Sequence, residues 1–183
     1  YYGWYNEDYP DFWLDDQRAW LPPEARLEII EGPLIVTEQD KTPHPAYLRF
    51  AAQPMPLPDA RVADFDRGIR LVGSCTETAG NAVQVRLIWY ADDAPPLDFT
   101  VFLHYERDGT IIAQADGEPG LGHYPMTYWR PGDQFVDVRR LSIAEILPGD
   151  RAYAGLYYYP TGERLNVVSS DIAAGENRVL LDL

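Results

Sequence analysis

A hairpin signal near the middle of the chain, within residues 98–143, constrains the fold more than any other feature. Two runs of alternating apolar and polar residues, 99–106 and 110–115, flank Arg107, Asp108 and Gly109. An Asp-Gly pair between such runs favours a tight β-turn, because both residues tolerate the positive φ that the turn requires. A long connection rich in glycine, proline and aromatic residues follows, and then a turn at 130–133 leads into another alternating run at 135–143. A hairpin, a long connection and a returning strand are typical of a β-sandwich with a Greek-key-like crossing.

The remainder of the chain from residue 61 onward gives the same kind of signal. Val83, Val85, Leu87 and Trp89 alternate with more polar neighbours, which predicts a long strand with one apolar face. Further strands are predicted at 151–159, 164–168 and 177–183, and Thr76–Asn81 is predicted to be a turn. In total the sequence predicts about ten or eleven short strands. We therefore expect an all-β protein, a two-sheet antiparallel β-sandwich of the immunoglobulin-like or jelly-roll-like kind.

The N-terminal third differs from the rest of the chain in amino-acid composition. Residues 1–25 are crowded with tyrosine, tryptophan and aspartate, and the apolar spacing in residues 11–21 predicts a short helix that ends at Pro22. Two short strands at 26–30 and 34–37, a loop at 41–45 and a strand at 47–52 are predicted next. A proline-rich linker places a domain boundary near Pro58. We expect residues 1–58 to be an arm, helix and strands that pack on the sandwich or on a neighbour, and residues 59–183 to be the sandwich domain.

Charge and composition exclude several classes of function. Asp and Glu number 29 against 15 Lys and Arg, giving a formal net charge of -14. Nucleic acids and anionic membrane surfaces both need a basic footprint, so neither is an expected partner. With 46 % apolar residues the chain is expected to be globular, and it contains no apolar run of the roughly 20 residues that a membrane span needs.

Disulfides do not organise this chain, because Cys75 is its only cysteine. An exported protein is still compatible with that count. The sequence starts at Tyr1 and not at a methionine, which is compatible with removal of a leader, an anchor or a preceding domain, and leaves these alternatives open.

Catalytic signatures are not found. The acidic pairs lie in expected turns or on opposite strand faces, the serines lie in no nucleophile elbow, and the glycines at 117–122 do not form a phosphate loop. The three histidines lack the spacing of a zinc site. A Ca²⁺ site in a loop near Asp108, Asp116 or Asp133 is conceivable, but no ligand spacing supports it. We therefore predict no enzyme activity, no metal site and no cofactor.

Aromatic residues give the one binding signal. A sugar ring can stack its C–H face on a tyrosine or tryptophan while polar neighbours bind its hydroxyl groups. The candidate ligand-binding residues, in the long connection and on a neighbouring strand, are His104, His123, Tyr124, Tyr128 and Trp129. The alternative is that these rings fill the core and its rim.

From residue 62 onward the chain resembles a known family. The similarity rests on residues 65–73 (FDRGIRLVG), 98–104 (DFTVFLH), 124–133 (YPMTYWRPGD), and 154–157 with 161–165. It resembles the β-sandwich domain at the C-terminus of bacterial membrane glycosyltransferases of the dolichyl-phosphate-mannose type and of related exported proteins. The resemblance implies an extracytoplasmic, non-catalytic module that handles glycans, and it supplies no catalytic residue.

Two hypotheses of function follow. The first is an accessory or carbohydrate-binding domain of a cell-envelope glycosyltransferase-type system. The second is a structural subunit of an extracellular filament or surface assembly, in which residues 1–21 form an inter-subunit arm that packs on another copy. The arm residues are Tyr1, Tyr2, Trp4, Tyr5 and Tyr9.

Overall fold

A computed structural model describes residues 28–37, 43–51, 62–79, 82–119, 125–143 and 145–183; for 28–37, 43–51 and Ala79 it describes the backbone. These residues form strands β1 Glu28–Thr37, β2 Pro43–Ala51, β3 Ala63–Phe65, β4 Ile69–Ala79, β5 Ala82–Ala91, β6 Thr100–Arg107, β7 Thr110–Gln114, β8 Gln134–Leu141, β9 Arg151–Tyr158, β10 Glu163–Arg164, β11 Val167–Ser170, β12 Ala174–Gly175 and β13 Arg178–Leu181. Two short 3-10 turns lie at Asp66–Gly68 and Met126–Tyr128.

The strands build two sheets, which confirms the predicted β-sandwich. One sheet has seven strands in the order β11-β3-β4-β5-β8-β1-β2, and the other has six, with β12-β13-β9-β6-β7 in a row and β10 beside β9. Nearly all pairings are antiparallel, and the exception is β1 with β8, where Glu28 pairs with Gln134. The hairpin of β1 and β2 thereby extends the seven-stranded sheet. The predicted boundary near Pro58 lies outside the described residues and stays a prediction.

The core lies between the two sheets, where alternating side chains of both meet. The predicted inward row of β5 is fully buried: Val83, Val85, Leu87 and Trp89 are each 0 % exposed. The six-stranded sheet contributes Val101, Leu103 and Tyr105 of β6 and Ala152, Ala154 and Leu156 of β9. Burial of this continuous apolar layer is the main contribution to stability, at about 25 cal/mol per Å² of apolar surface.

The predicted hairpin is present. β6 and β7 pair antiparallel up to Arg107 and Thr110, and the two residues between them, Asp108 and Gly109, have φ of 50° and 75°. Two central residues with positive φ match the twist of the flanking strands. The long connection then leaves the edge of the six-stranded sheet and returns as β8 in the seven-stranded sheet, beside β5. The excursion therefore crosses between sheets.

Several predicted boundaries were wrong. The two strands predicted at 26–30 and 34–37 are one strand, β1, whose pairing with β2 shifts register around Gly32 and Pro33. A proline has no N–H to donate, so the chain continues through it with an irregular ladder. β2 starts at Pro43, inside the predicted loop, and β4 runs to Ala79, into the predicted turn.

The strand predicted at 164–168 is also wrong, because it is two strands in different sheets. β10 pairs with β9 of the six-stranded sheet, whereas β11 pairs with β3 of the seven-stranded sheet. Between them Leu165 is 5 % exposed and belongs to the core. The helix predicted at 11–21 lies outside the described residues.

None of the helical turns in the described part of the chain has the length and apolar character needed to traverse a membrane.

Candidate functional site

Strand alternation decides where His104 points. Its neighbours on β6, Leu103 and Tyr105, are buried in the core, so His104 lies on the opposite, outer face of the six-stranded sheet. Its side chain is 12 % exposed, and its Nε2 atom lies 3.5 Å from Oδ2 of Asp116. Its ring lies 4.9 Å from the ring of Phe102. Among the predicted binding residues in the described part of the chain, His104 is the one that lies on this outer face.

Trp129 is a correction to the predicted binding set. It is 1 % exposed and stacks on Phe135, with ring centroids 5.7 Å apart, inside the core. Tyr128 is half-buried and packs against the same core. The alternative interpretation, that these rings fill the core and its rim, holds for both. His123, Tyr124 and the arm residues Tyr1, Tyr2, Trp4, Tyr5 and Tyr9 lie outside the described residues.

Phe102 shows that side chains on the outer face of the six-stranded sheet pack against one another and are not all exposed to solvent. Its ring lies across Gly155 of β9, where an added Cβ would come within 2.4 Å of its Cζ. The guanidinium of Arg164 lies 4.7 Å above the same ring, and Phe102 is only 1 % exposed although it points away from the core. A glycine at 155 therefore lets an aromatic side chain lie flat on the outer surface of the sheet.

A cleft of about 420 Å³ opens beside this packed region. Its walls are β9, β13 and the hairpin of β12 and β13, and its polar and aromatic lining comes from Arg151, Tyr153, Glu176 and Arg178. We call it the outer-face cleft. Its volume is within the range of small-molecule sites, and small residues at 173–175 leave it open on one side.

Arg178 crosses the floor of the outer-face cleft. Its guanidinium lies 3.9 Å from the centre of the Tyr153 ring, and it pairs with Glu106 of β6 and, at 3.5 Å, with Glu176. A cation over an aromatic face and a planar fork between two carboxylates hold the side chain in one geometry. The Tyr153–Arg178 pair is thus a fixed flat surface with polar edges.

Arg151 lies at the other end of the cleft and is exposed. The strand register places it opposite Glu106, where a cross-strand ion pair would be expected. The Glu106 carboxylate instead pairs with Arg178. The adjacent Asp150 accepts hydrogen bonds from Arg107, Tyr105 and the Leu147 amide. Within the described residues, no carboxylate is paired with Arg151.

Tyr157 extends the face toward the far end of β9. Burial, and then the negative charge of Asp116, raises the pKa of Tyr157, so its hydroxyl stays neutral at physiological pH. Its ring lies 6.4 Å from that of Phe102. The outer face therefore offers a neutral tyrosine hydroxyl and an imidazole along one line and charged groups in the cleft.

Metal binding and catalysis by paired carboxylates are not supported by any cluster of side chains in the described residues. In the described part of the chain there is no group of three or more His, Cys, Asp or Glu side chains that could hold a metal ion. Asp133 is buried and accepts a hydrogen bond from the Arg130 amide, and Asp116 lies beside His104. In the acidic pair at 92–93, both carboxylate oxygens of Asp92 accept hydrogen bonds from the Arg70 guanidinium.

Three residues of the cleft, Arg151, Tyr153 and Arg178, were not predicted as binding residues. The signal for the first two was available, because the pattern RAYAGLYY of β9 puts Arg151, Tyr153 and Tyr157 on one face. Arg178 could not be found this way, since its position over Tyr153 depends on the return of β13 to the edge of β9.

Comparisons of the chain with protein-family models, with curated proteins and with solved structures find no match.

Proposed function

We propose that this chain is a non-catalytic, extracytoplasmic carbohydrate-binding module, an accessory domain of a cell-envelope system of the glycosyltransferase type. The observation that carries the proposal is the outer-face cleft, in which an aromatic ring lies among arginine and glutamate side chains. The extracytoplasmic setting and the link to glycosyltransferases rest on the resemblance of residues 62–165 to the domain family described above.

The chemistry of the cleft suits a sugar. Sugars present hydroxyl groups in pairs along an apolar ring, and planar guanidinium and carboxylate groups donate to and accept from such pairs. Since Arg178 occupies one face of Tyr153, the sugar would rest on the Tyr153–Arg178 pair and not on a bare ring. This differs from the hypothesis drawn from the sequence, in which aromatic side chains of the connection before β8 form the surface on which a sugar stacks.

A binding role also fits the rest of the outer face better than catalysis does. Nucleophilic catalysis by a serine or cysteine needs that side chain within hydrogen-bond reach of an activating base such as a histidine. His104 is held between Asp116 and the Phe102 ring, and among the described residues no serine or cysteine side chain is bonded to it. An imidazole in this setting is suited to hydrogen bonding with a ligand hydroxyl.

The test is titration of the chain with a panel of neutral, amino and acidic sugars, followed by calorimetry and by NMR shifts of backbone amides. We expect a ligand to shift the amides of Tyr153, Gly175 and Arg178, and Tyr153→Ala to weaken binding about fivefold. Tyr159→Ala, which removes a ring that is 75 % exposed and does not line the cleft, is the matched control. A folded protein whose cleft amides respond to no sugar in the panel would contradict the proposal.

A second candidate function, a structural subunit of a surface assembly, is favoured by the edge strand β7. Among the described strands it pairs with β6 on one side only, and Ile111 and Ile112 are 44 % and 46 % exposed. An open edge with exposed apolar side chains can accept a strand from another copy. Deleting residues 1–21, the proposed arm, and measuring mass by light scattering tests this: a full-length chain that stays monomeric at high concentration excludes it.

A further inference from the structure

We infer that the outer-face cleft takes a sugar that carries a carboxylate, a uronic acid, and that Arg151 binds this carboxylate. The inference rests on the proposed function and names the class of its ligand. It starts from an imbalance in the cleft: the chain has a net charge of -14, yet an arginine in its candidate site lacks an acidic partner among the described residues.

Of the three acids nearest to Arg151, Glu106 and Asp150 are occupied, and Asp182, which the register of β13 with β9 places on the other side of Arg151, forms no ion pair with it. Glu106, directly opposite on β6, pairs with Arg178, which also lies over Tyr153 and pairs with Glu176. Asp150, adjacent in sequence, accepts two hydrogen bonds from Arg107 at 2.9 Å and one from Tyr105 at 2.6 Å, and its side chain is 1 % exposed. Neither carboxylate can turn to Arg151 without breaking a network that the fold already uses.

Arg151 lies on the same face of β9 as the Tyr153–Arg178 pair. Arg151 and Tyr153 are two residues apart on β9, so their side chains leave the same face of the sheet about 7 Å apart. A pyranose ring resting on the Tyr153–Arg178 pair would direct a substituent toward the Arg151 guanidinium. A carboxylate at that point matches the two parallel N–H groups of the fork, whereas a hydroxymethyl group matches only one.

The test compares methyl glucuronide with methyl glucoside, which differ only in a carboxylate against a hydroxymethyl group. Both are titrated into the wild-type chain, Arg151→Gln and Arg140→Gln, and binding is followed by NMR at pH 7. Arg140 is an exposed arginine on the outer face of the other sheet, and its replacement makes the same change in net charge. We expect the glucuronide to bind about tenfold more tightly than the glucoside, and Arg151→Gln but not Arg140→Gln to remove that preference.

The outcomes separate the two claims. Equal binding of both glycosides overturns the inference and leaves the proposed function standing. A preference for the glucuronide that survives Arg151→Gln overturns the role of Arg151. Binding of neither glycoside, nor of any sugar in the wider panel, overturns the proposed function and the inference together.

Discussion

At the scale of single residues, Asp150 joins strand β6 to the turn before β9. It accepts hydrogen bonds from Tyr105 and Arg107 of β6 and from the amide of Leu147. The arginine hydrogen bond is the largest of the causes that lower the pKa of Asp150 well below its usual range. Burial, and then the hydrogen bond to Asp150, raises the pKa of Tyr105 to about 12. The protonated tyrosine and the ionised aspartate are therefore the states that the fold stabilises.

Tyr105 should make the protein sensitive to alkali. Its pKa in the folded state is above the usual 10.0, so its hydroxyl stabilises the fold fully below pH 10 and progressively less as the pH rises from 10 to about 12. We expect Tyr105→Phe to lower the free energy of unfolding by about 1–2 kcal/mol at pH 8, and to lower it by much less near pH 12. Urea unfolding of both proteins across this range measures the difference.

Tyr159→Phe is the control for that measurement, because Tyr159 is 75 % exposed and outside the network. Its effect should be small at every pH. If the difference between the wild type and Tyr105→Phe stays constant from pH 8 to pH 12, the assigned role of the hydroxyl is wrong.

The candidate site shows how far single residues can be interpreted from sequence. His104 was predicted from the alternation of β6, and alternation places it outside the core correctly. Trp129 is a predicted binding residue because it is an aromatic residue of the long connection, but the chemistry of a ring does not reveal whether it packs in the core. Its burial depends on Phe135, which comes from the next strand and could not be assigned as its neighbour beforehand.

At the scale of elements, β8 breaks the rule that inward positions of a sandwich strand are apolar. Asp137 and Arg139 both point into the protein and are 3 % and 7 % exposed. They pair at 2.7 Å, and Arg139 also donates to the carbonyls of Ala115 and Gly117 at 3.1 and 2.7 Å. Arg139 therefore fastens the segment after β7, in one sheet, to β8 in the other.

Replacing Arg139 should loosen that segment. Arg139→Met removes the donors to three part-buried carbonyls, those of Ala115, Gly117 and Glu118, and the cation beside Asp137. We expect it to lower the free energy of unfolding by about 3–5 kcal/mol. Arg139→Lys should lower the free energy of unfolding by a smaller amount, because lysine keeps the positive charge. It should still be destabilising, because one ammonium group cannot reproduce the several N–H donors of the guanidinium. Urea unfolding gives the energies, and amide exchange at Val101 and Gly117, which bond to each other, reports on the segment.

Arg140→Met is the matched control, since Arg140 is the next residue on β8 and is exposed. It should change stability by no more than about 0.5 kcal/mol. An Arg139→Met protein as stable as this control, with unchanged exchange at Gly117, would show that the bonds across the sheets contribute little.

Elements with local signals could be predicted, and elements defined by their partners could not. The β6–β7 hairpin and β5 were predicted within a residue or two, because turn chemistry and alternation are written in consecutive residues. β10 and β11 were merged into one strand, because nothing local records that the chain changes sheets at Leu165. Likewise, the charges at Asp137 and Arg139 fit the period of a strand but not the expected content of a core face.

At the scale of the whole molecule, charge opposes compactness. The chain of 183 residues carries a formal net charge of -14, and its described strands pack into two sheets. The ion pair of Arg86 with Glu77 is half-exposed and therefore contributes little. The unpaired excess of acids repels itself in the folded state more than in the expanded unfolded chain.

Salt should therefore stabilise this protein. The screening length falls from about 30 Å at 0.01 M salt to about 3 Å at 1 M, so the repulsion between separated charges is largely screened at the higher concentration. We expect the urea midpoint to rise between these concentrations of NaCl with an unchanged m-value, which would indicate a change in stability and not in the unfolded state. KCl should act equally, since screening does not depend on the cation, and a neutral osmolyte at matched osmolarity separates screening from exclusion effects. A midpoint that falls with salt would mean that attraction within networks such as Arg107–Asp150 outweighs the repulsion between the excess acids. In that case the charges of the folded protein would attract one another on balance, and the lack of an acidic partner at Arg151 would have to be interpreted against that attraction.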